Sequence, residues 1–278
     1  MNNKADSTQT GTIGHVLLAP YREILAHRKV LTASVMQVTR ARYAGSVLGL
    51  AWLVIGPCIL LGLYAILYSF IFRVKPINLS LIDYIFYIFS GLVPFIAFGQ
   101  ALSAGTISLS NDRALLLNLI FPAELIPARE VFSAGTFLLV GGGIILCSKV
   151  LMGEVYLAWL LLPAIVGLLT MMTLGLVWGL SLANLVLKDT QQMVGYIVII
   201  LLISSPIAYT PDMVPAAFQI LLYVNPFAYY VQAFQSILVL GQVLAWPILI
   251  GCVCFAVLSF HGFFHFFAIG KRIIADHI

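Results

Sequence analysis

The chain has 278 residues, of which 62% are hydrophobic and only 9% are Asp, Glu, Lys or Arg. Soluble domains usually carry about 25% charged residues, so this composition excludes an ordinary soluble enzyme or binding domain. The net charge of +4 does not indicate a nucleic-acid partner, because the basic residues are scattered and membrane topology alone accumulates Lys and Arg on one side.

The N-terminal segment divides into a polar stretch and a helix. Residues 1–14 are polar, and we expect them to be disordered. Pro20 suits the first turn of a helix, and apolar residues recur around and after it at spacings of three, four and seven. This pattern predicts an amphipathic helix over residues 15–40 that lies in the membrane interface. A helix packed on a cytosolic partner would show the same pattern, and the two interpretations are compatible. The apolar stripe comprises Tyr21, Ile24, Leu25, Leu31, Val35 and Val38.

Long segments without a single Asp, Glu, Lys or Arg follow, and the longest, 213–270, has 58 residues. A helix needs about 20 apolar residues to cross roughly 30 Å of hydrocarbon, and a charge near its middle costs about 2.5–3.5 kcal/mol. Residues 41–278 are therefore predicted to form one all-α integral membrane domain of six transmembrane helices. The predicted spans are 47–72, 84–108, 128–150, 156–187, 191–209 and 244–268.

Residues 211–241, between the last two predicted spans, carry prolines and amides although Asp212 is their only charged residue. A lipid-facing helix rarely contains so many polar groups, and broken helices at membrane depth survive only where protein or water covers them. We therefore predict two short re-entrant or interfacial helices, split at Asn225–Pro226.

The distribution of basic residues predicts the orientation. With six spans and cytoplasmic N- and C-termini, eleven Lys and Arg lie inside and three lie outside, as the positive-inside rule requires. The outside residues are Arg73, Lys75 and Lys149.

No catalytic set stands out in the sequence. A phosphate-binding G-x-x-x-x-G-K-[ST] loop is absent, and the interiors of the predicted spans contain none of the Asp, Glu, Lys or Arg residues that proton- or sodium-driven transporters usually place there. The energy source is therefore expected on a partner. His261 and His265, at i and i+4, could share a metal or haem, but no Cys, Asp or Glu nearby completes a ligand set, and both could simply face the interface.

Aromatic residues on the first and fifth predicted spans are candidates for a substrate path, and those on the first span lie near its outer end. Tyr64, Tyr68 and Phe72 share one face of the first span, and Tyr196 and Tyr209 lie on the fifth. Aromatic rings can stack on sugars, so these residues could line a path for a glycan. The alternative is the aromatic belt of the membrane interface.

Several short motifs, taken in order, carry a family resemblance over about residues 20–270. They are Arg42-Tyr43-x-Gly45-Ser46-x-Leu48-Gly49-x-x-Trp52 followed by Pro57, Phe121-Pro122-x-Glu124-Leu125-x-Pro127, Lys188-Asp189, Ser205-Pro206-Ile207-x-Tyr209 and Asn225-Pro226. Their ordered combination resembles the permease subunits of type-2 ATP-binding-cassette exporters, especially those that export O-antigen, capsule and teichoic-acid polysaccharides.

The resemblance implies an assembly in a bacterial inner membrane. Two copies of this chain would form a continuous pore above two cytosolic ATPase subunits, which would bind Mg-ATP, while this chain itself would carry no cofactor. The ATPase would dock on the N-terminal helix and on the loop between spans two and three. The implied coupling residues are Arg22, Arg28, Asn111, Asp112, Arg113, Phe121, Pro122 and Glu124.

The same resemblance implies that a lipid-linked polysaccharide threads outward past a gate formed by the re-entrant helices. The gate residues would be Pro206, Asn225 and Pro226. The pore would use Tyr64, Tyr68, Phe72, Tyr196, Ser205 and Tyr209. Arg42 and Trp52 would lie at the membrane interface, where Arg42 could anchor the first span or meet a lipid phosphate.

The chain departs from the family pattern at one place, and three alternative functions stay open. Relatives often carry lysines just before Phe121, where this chain has residues 115–118 of sequence Leu-Leu-Leu-Asn. A permease for a drug, haem or another lipid is the nearest alternative, and an unpowered channel is another. A membrane transferase would need carboxylates gathered at one face, whereas Asp83, Glu154 and Asp212 are expected to be widely separated.

Overall fold

The computed structural model describes residues 20–67, 79–113 and 121–275, with side chains as far as Lys271. Within these ranges the protein is helical and contains no β-strand. The helices are α1 (Arg28–Arg42), α2 (Trp52–Ile66), α3 (Leu81–Asn111), α4 (Leu125–Leu151), α5 (Leu162–Val186), α6 (Thr190–Ser204), α7 (Gln219–Val224), α8 (Pro226–Leu238) and α9 (Trp246–Ala275).

Five helical segments in the described ranges are long and apolar enough to cross a membrane. They are Gly49–Ile66, Leu81–Asn111, Leu125–Leu151, Leu157–Val186 and Trp246–Lys271. A multi-pass, all-helical membrane architecture is therefore confirmed. Helix α6 is apolar but has only 15 residues, about 22 Å, so its role as a sixth complete span stays a prediction.

The predicted end of the fifth span is wrong, because α6 ends at Ser204 rather than at residue 209. The residue before a proline is driven out of the helical region by the proline ring. Ser205 precedes Pro206 and has extended backbone angles, φ −88° and ψ 138°. The chain therefore leaves the helix just before the proline.

Helix α1 lies against the protein itself. Residues 20–26 are also helical, so the described part of the predicted N-terminal helix extends from residue 20 to Arg42, whereas residues 1–19 lie outside the described ranges. The Tyr21 ring packs 5.0 Å from that of Phe260 on α9, and the Thr39 hydroxyl lies 2.9 Å from that of Ser133 on α4. Part of the apolar stripe therefore faces the bundle, while Leu25 and Met36 are exposed.

Helices α4 and α9 extend well beyond their contacts with the N-terminal helical residues 20–42. Ser133 lies about 12 Å from the start of α4, and Phe260 lies about 16 Å before Lys271 along α9. We call the end where α3 ends and α4 begins the Glu124 end, and the opposite end the Lys149 end. A helix α1 placed in the membrane interface would leave the Glu124 end about 12–16 Å outside the hydrocarbon.

Two glycines on α5 allow this helix to pack closely against α9. A Cβ added at Gly175 would collide with the backbone of Ser259, and one added at Gly179 would collide with the ring of Phe263. Close backbone approach through small residues is a principal means of packing helices where no water drives them together. The two helices therefore form one tightly packed pair.

We expect Gly175→Ala to destabilise the protein by about 1–3 kcal/mol, because the backbone of α9 cannot yield as a flexible side chain could. Thermal unfolding of the purified protein in detergent measures the effect. The matched control is Gly167→Ala on the same helix, where no atom lies within 4 Å of the added methyl group. Equal melting temperatures for the two variants would contradict this account of the α5–α9 contact.

Candidate functional site

The split at Asn225–Pro226, predicted from the sequence, separates α7 from α8 in the structure. The split lies deep in the bundle, because the Phe227 ring packs 5.0 Å from Phe95 and 4.8 Å from Phe98, near the middle of α3. Helix α8 runs from there towards the Lys149 end. We call residues 205–238 the re-entrant segment, the term that the sequence prediction gives them; their re-entry into the membrane stays a prediction.

Asn225 holds the start of α8 against the end of α6. Its Nδ2 lies 2.9 Å from the hydroxyl oxygens of Ser204 and Ser205 and 3.2 Å from the carbonyl oxygen of Leu201. Its Oδ1 accepts a hydrogen bond of 2.8 Å from the N–H of Phe227, which caps α8. One buried amide therefore hydrogen-bonds to backbone groups at both broken helix ends.

Two further side chains hold the carbonyl groups of the non-helical residues 206–208. Gln235 Nε2 donates to the carbonyl oxygens of Pro206 and Ile207, each at 3.1 Å. The Tyr84 hydroxyl donates to the carbonyl oxygen of Ala208 at 2.8 Å. Since unpaired backbone groups are costly in hydrocarbon, these bonds allow the chain to be irregular within the bundle.

The candidate pore residues do not all meet on one surface. Ser205 is buried and Tyr209 partly buried, and their hydroxyls donate to the carbonyl oxygens of Leu201 and Ile203. Tyr64 lines a cavity of about 360 Å³ between α2, α3 and α6, whereas Tyr196 lies on the exposed face of α6. Tyr68 and Phe72 lie outside the described residues.

We expect Asn225→Leu to destabilise the protein by about 1–3 kcal/mol, because buried hydroxyl and backbone groups lose their partner. Thermal unfolding in detergent measures the loss. The matched control is Gln219→Leu, because Gln219 is exposed and its amide makes only a 3.5 Å bond to the Val214 carbonyl oxygen. A control that loses as much stability as Asn225→Leu would refute the proposed role of the buried amide.

The charged residues at the Glu124 end are largely paired within the chain. The Lys271 ammonium lies 2.9 and 3.0 Å from the two carboxylate oxygens of Glu124, and Arg129 donates to the Asp112 carboxylate. Two of the predicted coupling carboxylates therefore have intramolecular partners. The other predicted coupling residues differ in burial: Phe121 and Pro122 are half-buried, whereas Arg22, Arg28, Asn111 and Arg113 are exposed.

Sequence reasoning missed the partners of these residues. Trp178 Nε1 donates to the Glu124 carbonyl oxygen at 3.0 Å, and Asn184 Nδ2 donates to the Ser110 hydroxyl at 3.1 Å. Both side chains lie in an apolar helix near the Glu124 end, where a buried indole N–H or amide needs a partner. That position was the available signal, but it does not say which residue near the end of α3 or the start of α4 supplies the partner.

The two predicted membrane-interface residues both form hydrogen bonds. Arg42 donates to Gln100 Oε1 at 3.1 Å, which ties the end of α1 to α3. Trp52 Nε1 donates to the Ser46 hydroxyl at 3.0 Å, at the turn that leads into α2. Both side chains are exposed in the single chain.

The expected wide separation of the outside carboxylates is wrong for two of them. The buried Lys149 ammonium lies 2.5 Å from Asp83 and 2.7 Å from Glu154, and the Tyr156 hydroxyl donates to Glu154 at 2.5 Å. The sequence could not predict this proximity because α3 and α4 come together only on folding. Lys149 thus forms ion pairs with both Asp83 and Glu154 at this end of the bundle.

The Lys149 ammonium and the Tyr156 hydroxyl, both donating to Glu154, hold the pKa of that carboxyl below its usual 4.5. A depressed folded-state pKa contributes stability above the unfolded value, and that contribution is lost as pH falls through the folded value. We therefore expect the melting temperature to fall on acidification from about pH 5 to pH 3, and Glu154→Gln to weaken this dependence.

Thermal unfolding across that pH range measures the effect of Glu154. The charge-matched control is Asp189→Asn, because Asp189 is exposed and has no ion pair within the described ranges. An unchanged pH dependence in Glu154→Gln would contradict the assignment.

No protein-family model matches the chain. The chain is 26% identical over 230 residues to the O-antigen export system permease protein RfbA of Myxococcus xanthus. The aligned region covers 78% of this chain and 82% of that protein. Two proteins of the same name from Klebsiella pneumoniae are each 25% identical over 204 residues, covering 73% of this chain and 77% of theirs.

Proposed function

We propose that this chain, a type-2 ATP-binding-cassette permease by its similarity to O-antigen export permeases, moves a lipid-linked polysaccharide out of the cytoplasm. The single observation that carries the proposal is this similarity, which extends over about three quarters of the chain. All three relatives are named for O-antigen export, which favours a polysaccharide over a drug, haem or another lipid.

The energy for export would come from a separate ATPase. The sequence of this chain has no phosphate-binding G-x-x-x-x-G-K-[ST] loop, so ATP binding and hydrolysis are assigned to two cytosolic subunits. The chain itself would then be a transporter subunit rather than an enzyme, and Mg-ATP would be bound only by its partner.

The pore would form between two copies of the chain. Helix α2 is largely exposed, and exposed apolar side chains cover much of α6, including Ile200 and Ile203. Such faces fit either lipid or a second copy, and a dimer would bring Tyr64 and Tyr196 of both copies near one central path. Hydroxyls, amides and ring faces suit a moving glycan, because fixed charges would trap it.

The re-entrant segment would act as the outer gate. Its non-helical residues 205–208 are held by side-chain hydrogen bonds, which can exchange more readily than the repeating bonds of a helix. Pro206 and Pro226 fix the two breaks, and Asn225 links them. This arrangement supports a gate that moves without unfolding a complete helix.

The Glu124 end would face the cytoplasm and receive the ATPase. Positive residues are concentrated there and on α1, in agreement with the positive-inside rule. Arg22, Arg28 and Arg113 are exposed and can donate charged hydrogen bonds to a partner. The N- and C-termini would lie in the cytoplasm, and the membrane would be a bacterial inner membrane.

The experiment that tests the function locates the glycan in a strain that lacks this gene. We expect long lipid-linked polymer, or its precursors, to accumulate on the cytoplasmic face of the inner membrane, because the polymer has no way out. Glycan-specific labelling of right-side-out and inverted membrane vesicles measures the distribution. Wild-type protein supplied in trans should restore surface glycan.

The matched control is a plasmid with an early stop codon in the same gene, which should not restore surface glycan. Surface glycan that is unchanged by the deletion would overturn polysaccharide export. The drug, haem and lipid permeases would then be the functions to test.

A further inference from the structure

Glu124 joins three parts of the bundle at the Glu124 end. It lies just before α4, its carboxylate binds Lys271 on α9, and its carbonyl oxygen accepts from Trp178 on α5. The Glu124 side chain is buried, whereas Lys271 is exposed on one side. The described end of the loop that precedes α4, residues 121–124, is therefore linked through Glu124 to two helices that lie far from it in sequence.

We infer that Glu124 and Lys271 are positioning residues that transmit movement of residues 121–124, the described end of the loop before α4, to the α5–α9 pair. The inference rests on the proposed function, because it assumes that an ATPase pushes or pulls this loop. It goes further by naming the joint and the helices that respond. Neither residue would touch ATP or the glycan.

The packing beyond Glu124 explains how a local movement would spread. The Trp178 ring is fully buried and packs 5.4 Å from Phe260 and 5.2 Å from Phe264, both on α9. A Cβ at Gly270 would collide with Leu182, and the two glycine contacts described above lie further along the pair. Helices α5 and α9 would therefore move together when the loop moves.

The movement of α5 and α9 would reach the re-entrant segment. The Tyr230 hydroxyl on α8 donates to the carbonyl oxygen of Cys252 on α9 at 2.8 Å and lies 3.3 Å from that of Leu168 on α5. Tyr230 is fully buried. A continuous set of contacts thus runs from Glu124 through the α5–α9 pair to α8, which carries the proposed gate.

The pairing of Asp112 with Arg129 has a different role. Arg129 lies on α4, so that ion pair links the end of α3 to the helix that follows it in the chain. It closes the base of the loop but does not connect the loop to α5 or α9. The Glu124–Lys271 pair is thus the ion pair, within the described ranges, that reaches α9.

The test uses the permease reconstituted with its ATPase in liposomes that contain the lipid-linked glycan isolated from the deletion strain. Two rates are measured, ATP hydrolysis and glycan export, and their ratio gives export per ATP. In Lys271→Gln and Glu124→Gln we expect hydrolysis to continue while export per ATP falls by roughly fivefold or more, the low end of coupling between distant sites.

Two rescue variants separate transmission from folding. Lys271→Arg keeps the charge and should retain most of the export per ATP. The double variant Glu124→Lys with Lys271→Glu reverses the pair and should recover at least part of the ratio. The matched control is Lys188→Gln, which removes an exposed positive charge at the same end that has no ion-pair partner in the described part of the chain.

Each outcome decides one question. Export per ATP that is unchanged in Lys271→Gln, or that falls equally in Lys188→Gln, would overturn the inference. Hydrolysis and export that fall together, with the ratio preserved, would make the pair merely structural and would also overturn it. If wild-type protein does not export glycan in this system, the proposed function fails, and the inference falls with it.

Discussion

Within a bilayer no water is available for backbone N–H and C=O groups, so each must find a partner inside the protein. Long helices meet this requirement by themselves. Residues 205–208 cannot, because Pro206 interrupts the helix and leaves their carbonyl groups without helical partners. Asn225, Gln235 and Tyr84 supply the missing donors, and their positions determine where the re-entrant segment can lie.

The buried charged side chains at the two ends of the bundle also need partners inside the protein. Lys149 is fully buried yet tolerated because two carboxylates and the face of Phe86 surround it. Glu124 is also buried, and it is balanced by Lys271. Removing one partner of such a pair leaves an uncompensated charge, which is far more costly than the pair is stabilising. These pairs therefore fix how the helices join at each end.

The α5–α9 pair and the re-entrant segment are held in place by different kinds of contact. Helices α5 and α9 approach each other closely at Gly175, Gly179 and Gly270, where an added methyl group would collide with the facing helix. The re-entrant segment is instead held by individual hydrogen bonds from side chains on separate helices. In the proposed exporter, the rigid pair would carry motion from the ATPase side, and the segment with replaceable bonds would open and close.

The class of protein follows from composition and hydropathy, since long apolar segments without charge are typical of transmembrane helices. The sequence also predicted five of the long helices and the break at Asn225–Pro226, because hydropathy and proline act locally. It did not predict the end of α6 at Ser204, although Pro206 gave the signal. The tertiary structure was needed to show that Lys149 pairs with Asp83 and Glu154, and that Glu124 contacts Lys271 and Trp178. Helix order and composition do not specify which side chains meet, whereas packing at Gly175, Gly179 and Gly270 brings residues far apart in sequence within hydrogen-bonding distance.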